Sequence, residues 1–392
     1  MKVCHVITRL IVGGAQENTL LTCEGLQARG HRVTLLTGPD AGSEGSLLKR
    51  AKEGGYRTTI IRDMHRAIRP VDDWHAKCEM SAVFRKLKPE IVHTHSSKAG
   101  VLARVAAREA GVPVIVHTIH GMSFNRTQPW YIRKAYAWLE WYCGRFTDRL
   151  ITVADAMIDQ SVAAGVAPRE KFTTVHSGML TDWYDPQRFD GDAIRRGWGF
   201  NKADVVVGTV ARLFRNKGYE QLIPAMAKAV KRCPKLRFVW IGDGGERDQY
   251  LAQLEQLGLR DKVYLTGLIE PSKVAEMLAG VDMVVHASQW EGLPRAAVQS
   301  LLMQKPVISF SIDGAPEVVV PGQTGILVPL NDTDALAEAM VDLGSNSELR
   351  GEFGQQGRAL CLEQFDHRKM VEQIEAVYQE LSSSALSGKP VG

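Results

Sequence analysis

Two doubly wound, Rossmann-like α/β domains with parallel sheets are predicted for this chain, on three observations. Short β-rich runs alternate with longer helical patterns from one end to the other. The runs are continuously apolar, as strands covered by helices on both faces must be. The alternation also starts afresh after about residue 203, so the arrangement is present twice. A length of 392 residues suits two large domains better than one core.

In the first half the strand candidates are KVCHVIT, HRVTLLT, RTTIIR, EIVHTH, PVIVHTI, RLITVA and FTTVHSG. Each is separated from the next by a segment long enough for a crossover helix. DVVVGTVA, LRFVWIGDG, KVYLTG, DMVVHAS, PVISFS and GILVPL repeat the scheme in the second half. Between Ser177 and Ala203 the strand pattern lapses into Gly, Pro and Asp punctuation. The expected division is therefore 1–180, an interdomain segment 181–202, a second domain 203–365, a final helix 366–381 and a disordered tail 382–392. Such domains bind ligands at the carboxyl ends of their strands, so two binding edges can face one another across a cleft.

Composition removes several function classes. The formal charge is +4, from 48 basic and 44 acidic residues, which leaves no global footprint for nucleic acid. Six scattered cysteines without a CxxC pair argue against a disulfide framework or a zinc cluster and point to a reducing cytosol. No stretch has the length of a membrane-spanning helix.

The stretch SQWEGLPRAAVQ, which begins at Ser288, carries the strongest chemical signal. A strand feeds Glu291, Gly292 and Leu293, and Pro294 is placed to open a helix whose second turn holds Gln299. Amides of that first turn, beside the positive end of the helix dipole, suit a phosphate. Arg212, after DVVVGTVA, and Lys217, beside the next helix start, add two cations that a diphosphate could use or that are merely solvated. Gly242 and Asp243 in IGDGGE, Gly267 ending KVYLTG, and Gly13 with Gly14 after the first strand allow close backbone approach to a ligand, or are ordinary turns. The loop TRLIVGGAQEN, with Gly13 and Gly14, is not GxGxxG, and its domain lacks the acidic ribose reader at the expected spacing, which disfavours a nicotinamide dehydrogenase.

Histidines gather at the ends of EIVHTH and PVIVHTIHG. His117 is expected to be partly buried by alternation, and His120, beyond the strand end, to reach a ligand as a neutral imidazole able to hydrogen-bond a sugar hydroxyl. No metal-ligand spacing supports a metal site there. Asp190-Gly191-Asp192 has the form of a metal motif but falls in the interdomain segment, where a turn or helix cap is expected. WYIRKAYAWLEWYCGRF, Trp130 to Phe146, reads by default as a buried aromatic helix, with a bilayer-facing or lipid-acceptor surface as the alternative.

The tandem layout, Arg212 with Lys217, the GDG turn, and above all EGLPRAAVQ followed by KPVI and GAPEVV resemble family 4 of the retaining glycosyltransferases, with the GT-B fold. The resemblance spans nearly the whole chain. HTHSSKAG and HTIHG are similar to members that build bacterial surface polysaccharides. It implies a second domain that binds a nucleotide sugar, a first domain that binds a carbohydrate or lipid-linked saccharide acceptor, and a final helix that returns to the first domain. No cofactor and no required divalent metal are expected, and the expected location is cytoplasmic, with peripheral contact at the inner face of the membrane as the alternative. By the family pattern Glu291 contacts donor-sugar hydroxyls, while a second glutamate accepts bonds from the ribose. Here that second position is Gln299, which keeps an acceptor but loses the charge, at about 1 to 2 kcal/mol of donor affinity.

The resulting expectation is metal-independent, retaining transfer from a nucleotide diphosphate sugar, with UDP by family frequency. Arg212, Lys217 and the amides near Gly292 and Leu293 hold the diphosphate, and Glu291 and His120 orient the sugar. Two other classes share these features: a nucleotide-sugar epimerase, which needs no acceptor, and a catalytically idle sugar-binding protein.

Overall fold

In a computed structural model that describes residues 1–39 and 45–387, all thirteen strand candidates form strands. They are β1 Lys2–Ile7, β2 Arg32–Thr37, β3 Arg57–Ile60, β4 Ile91–His95, β5 Val114–Ile119, β6 Arg149–Thr152 and β7 Phe172–Thr174, then β8 Val205–Val210, β9 Leu236–Ile241, β10 Val263–Gly267, β11 Met283–His286, β12 Val307–Phe310 and β13 Gly325–Val328. The helices are α1 Gly14–Ala28, α2 Leu48–Glu53, α3 Pro70–Leu87, α4 Ser97–Glu109, α5 Trp130–Gly144, α6 Ala156–Ala163, α7 Gly191–Gly197, α8 Tyr219–Arg232, α9 Arg247–Gln256, α10 Val274–Ala279, α11 Arg295–Leu302, α12 Thr333–Ser345, α13 Ser347–Gln364 and α14 His367–Ser387.

The chain folds as two compact units, Met1–Gly178 joined by the described residues from His367 onward, and Met179–Asp366. In the first unit the strand order is β3-β2-β1-β4-β5-β6-β7, and in the second β10-β9-β8-β11-β12-β13. Every pairing is parallel. Both sheets thus start in the middle, run to one edge, and return to fill the other, as right-handed crossovers require. The order reverses between β1 and β4 in one sheet and between β8 and β11 in the other. At such points the adjacent loops part and leave room for a ligand.

Two boundaries differ from the sequence expectation. Residues 181–202 are not a separate connector: α7 belongs to the second unit, where Arg195 reaches Asp282 at 2.7 Å and the Gly280 carbonyl oxygen at 2.7 Å. Punctuation residues masked a short helix there, and Asp190 is its cap, accepting from the Ala193 amide at 3.0 Å. Nor is 382–387 a disordered tail, because α14 continues to Ser387; residues 388–392 lie outside the described residues.

Helix α14 packs on the first unit against α1. Asn18 Nδ2 donates to Met370 Sδ at 3.0 Å, Glu375 takes both Arg29 Nε at 2.5 Å and His31 Nε2 at 2.6 Å, and Tyr378 meets His93 at 2.5 Å. On the opposite sheet face Gly100 of α4 lies under His117, where a Cβ would come within 2.5 Å of the ring. His117 is accordingly fully buried, not partly.

Helix α5 departs from the buried-helix expectation. Only Glu140, Cys143 and Gly144 are buried, whereas Trp130 is 68% exposed, and Tyr131, Trp138 and Trp141 are exposed with it. The aromatic residues wrap round the helix, and the one face that packs inward is set by Glu140, which pairs with the buried Arg104 at 2.6 Å. A charge placed to meet a buried partner fixed the helix orientation against its apolar content.

Candidate active site

In the second unit the loops after β8 and β11 flank the point of reversal, and they bring two of the expected residues into contact. Lys217 Nζ lies 2.5 Å from Glu291 Oε1 and 3.4 Å from Ser288 Oγ, with each charged side chain 19% exposed. Local backbone explains the approach. Arg215–Lys217 make a single 3-10 turn that ends at Gly218, whose φ of 76° lies in the left-handed region. A Cβ at Gly218 would stand 1.8 Å from the Ala287 carbonyl oxygen, so only glycine lets this loop close on the end of β11. Gln289 N then donates to the Asn216 carbonyl at 3.0 Å, joining the two loops.

Two residues that the sequence reading passed over complete this cluster. Asp313 Oδ2 accepts from the Glu291 amide at 2.8 Å and so holds the loop that carries the carboxylate. His286, the last residue of β11, places Nε2 3.6 Å from Glu291 Oε1 and is buried. A histidine closing an apolar strand was the signal used for HTIHG, and DMVVHAS carries the same one. Burial pushes the His286 imidazole down to about 4, against the pull of Glu291. Burial alone would raise the Glu291 carboxyl, but Lys217 and His286 outweigh it and hold it below the ordinary range. The cluster is therefore Lys⁺, Glu⁻ and neutral His at neutral pH.

The remaining donor candidates spread along the same sheet edge. Arg212 is exposed, with its guanidinium 5.0 Å from the Phe214 ring centre. Gly242 and Gly267 bridge the ends of β9 and β10, and a Cβ at Gly242 would come 2.3 Å from the Ala211 carbonyl oxygen. Asp243 accepts from the Gly244 amide at 2.8 Å and from Arg247 at 3.3 Å, so it braces its own turn. Gly292 and Leu293 are buried, and the Gly292 carbonyl accepts from Gly314 N at 3.1 Å. Pro294 is the residue before α11 and not its first member, a shift of one position. Gln299 donates its amide to the Tyr184 hydroxyl at 2.8 Å, an arrangement invisible from spacing because Tyr184 lies 115 positions away.

In the first unit the loops at the corresponding reversal meet through neutral groups. Thr8, after β1, bonds Ser96, after β4, at 2.7 Å between hydroxyl oxygens. Ser96 holds φ 61° with ψ 155°, a conformation nearly reserved for glycine, and it is kept there by Thr8 N at 3.3 Å and by Gly100 N on its carbonyl at 2.8 Å. Gly13 and Gly14 belong to this unit, at the start of α1; Gly13 is extended at φ 179°, so its backbone is one that any residue adopts. Ser96, His120, Ser123, Phe124 and Glu140 line a pocket of about 260 Å³. His120 reaches His95, with Nε2 to Nδ1 at 3.0 Å.

Comparison with known proteins gives the same two-part division. Residues 190–360 match the family described as glycosyl transferases group 1, and residues 13–178 match the glycosyl transferase 4-like domain. The chain is 31% identical over 310 residues to the EpsD glycosyltransferase-family protein of Bacillus subtilis, covering 76% of this chain and 80% of that one. It is 26% identical over 385 residues to the UDP-Gal:alpha-D-GlcNAc-diphosphoundecaprenol alpha-1,3-galactosyltransferase of Escherichia coli, covering 97% of each. Among solved structures, Alr3699/HepE of Anabaena in complex with UDP and glucose superposes with a TM-score of 0.83 at 20% identity, over 97% of this chain and 99% of that one.

Proposed function

Because the chain belongs to the family 4 glycosyltransferases of bacterial polysaccharide biosynthesis, we propose that it moves a sugar, with retention and without a divalent metal, from a UDP-sugar to a lipid-linked saccharide. The observation that carries this reading is the Lys217–Glu291 pair at the β8/β11 reversal. An ammonium held by a carboxylate is a preformed anion site: a diphosphate that enters takes Lys217, and Glu291 is released toward sugar hydroxyls. Arg212 supplies a second positive charge on the same loop, so side chains provide what a metal ion provides elsewhere.

As the bond from the anomeric carbon to the phosphate oxygen breaks, negative charge grows on the diphosphate beside Lys217 and Arg212. An acceptor hydroxyl attacks from the face the phosphate leaves, and its proton passes to the departing phosphate oxygen. Same-face attack, in place of double displacement, follows from the resemblance to the retaining family. UDP is favoured because the Anabaena neighbour was solved with it and the Escherichia coli relative is named for UDP-Gal.

The α5 face supports contact with a lipid surface or a lipid-linked acceptor. Lys134 lies 5.3 Å from the Trp130 ring centre and Arg145 5.4 Å from that of Trp141, so cations alternate with exposed aromatic rings. No helix of the described residues is long and apolar enough to cross a membrane.

The test is transfer by the purified chain from a panel of UDP- and GDP-sugars to an undecaprenyl-diphosphate-linked saccharide. Product nuclear magnetic resonance reads the anomeric configuration, and EDTA is present in a parallel reaction. Inverted product, or activity abolished by EDTA and restored by Mg²⁺, would remove the corresponding part of the reading. UDP-sugar turnover without acceptor would favour an epimerase.

A further inference from the structure

The first sheet buries a row of histidines that the proposed chemistry does not use. His5 on β1 and His93 on β4 are register partners, and His95 follows two residues later on the same face. All three are fully buried. Their nitrogens are within 4.8 Å of one another, the spacing of a metal site. Hydrogen bonding describes them better. His93 Nδ1 lies 2.5 Å from the Tyr378 hydroxyl and Nε2 2.6 Å from the Thr118 hydroxyl, so both of its nitrogens are engaged and neither is left for an ion.

The other two rings form a line that reaches the pocket. His5 Nδ1 is 3.0 Å from His95 Nε2, and His95 Nδ1 is 3.0 Å from His120 Nε2. Burial holds the His5 imidazole well down, to about 3, and His95 well below its ordinary range, so both are neutral. A neutral imidazole donates from one nitrogen and accepts at the other. Each link needs one donor, so all links must point the same way. Reversing one ring reverses the whole line.

The far end decides the direction. His5 Nε2 is buried with no hydrogen-bond partner among the described residues. An orphaned buried N–H is rarer than an under-satisfied acceptor, so this atom is the one without the proton. We propose that His5, His95 and His120 form a one-way hydrogen-bond chain: His5 Nδ1–H donates to His95 Nε2, His95 Nδ1–H donates to His120 Nε2, and His120 is locked as the Nδ1–H tautomer. A ligand that reaches His120 Nδ1, a sugar hydroxyl oxygen on the proposed reading, meets a donor and not a base. His95 and His5 are positioning residues. The acceptor proton has no route to His120 Nε2, which agrees with its transfer to the leaving phosphate.

The role of His120 rests on the proposed glycosyl transfer, but the chain itself can be measured without it. The full-length protein is labelled with ¹⁵N-histidine, and long-range ¹H–¹⁵N spectra are assigned through His120→Gln and His95→Gln. Pyrrole-like Nδ1 and pyridine-like Nε2 are expected for His5, His95 and His120. The opposite tautomer at His120, a mixture of the two, or one zinc per chain that resists EDTA overturns the proposal. His5→Gln keeps a donor toward His95 and should preserve the His120 tautomer, whereas His5→Leu should release it and lower kcat about tenfold with little change in the donor KM. Equal His120 spectra in these two variants would also overturn it. Normal turnover by His120→Ala would remove the site role of His120, and the wild-type spectrum would still decide the chain.

Discussion

The two sheets share a strand order, yet they furnish the point of reversal in opposite ways. Between β8 and β11 the loops meet through an ion pair, Lys217 with Glu291, braced by Asp313 and a neutral His286. Between β1 and β4 they meet through two hydroxyls, Thr8 and Ser96, beside the neutral imidazoles of His5 and His95. On the proposed reading the ion pair suits a diphosphate, and the hydroxyls and imidazoles, beside the Arg104–Glu140 pair, suit a sugar. The same topology therefore offers two chemistries, set by what each strand carries at its carboxyl end.

Acid should separate the two units most strongly. The first unit keeps His5, His93, His95 and His117 neutral by burial, and the second keeps His286 neutral. Each has a folded pKa below its unfolded value, so the unfolded chain binds more protons and stability falls as pH drops below about 6.5, at up to about 1.4 kcal/mol per pH unit per histidine. Glu291 adds a loss only below about pH 4.5, because its pKa is depressed from the carboxylate range. Hydrogen exchange between pH 7 and 5 should show β1, β4 and β5 losing protection before β8 and β11. The reverse order would break the contrast.

Lys217→Ala should lower kcat/KM for transfer about 10²- to 10³-fold by removing a charge that faces the developing diphosphate. Near-normal turnover would sink the anion site. Arg212→Ala should also lower turnover severely, with unfolding unchanged to within about 0.5 kcal/mol because the side chain is exposed. A matching loss of stability would mean that Arg212 is structural. Gly218→Ala should cost on the order of 2 kcal/mol in denaturant melts and weaken donor binding, since it forces a left-handed residue and a clash with Ala287. Gln299→Glu should tighten donor binding about tenfold by calorimetry, with Tyr184 turning to donate. Unchanged or weaker affinity would count against the ribose role.

Much of this was legible in the chain. Apolar runs of strand length, punctuated by helical segments, located all thirteen strands, because burial on both faces leaves a strong and local trace. Glu291 and Lys217 were legible as candidate site residues because each follows a strand end, the place where this architecture exposes side chains. Asp313 and Tyr184 were not, since their partners are distant in sequence and neither sits in a periodic pattern. The orientation of α5 was misread because hydrophobic content does not reveal that a single buried arginine, Arg104, would claim Glu140.

By itself, then, the sequence determined the repeated α/β architecture and which loops carry the candidate site, because hydrophobic period and strand ends are properties of neighbouring residues. Tertiary structure alone decided who meets whom: Lys217 with Glu291 across 74 positions, and His5 with His95 across 90. Those contacts depend on strand order and on glycine-sized approaches such as Gly218 against Ala287, and a parallel crossover brings such groups together only after the whole sheet has formed.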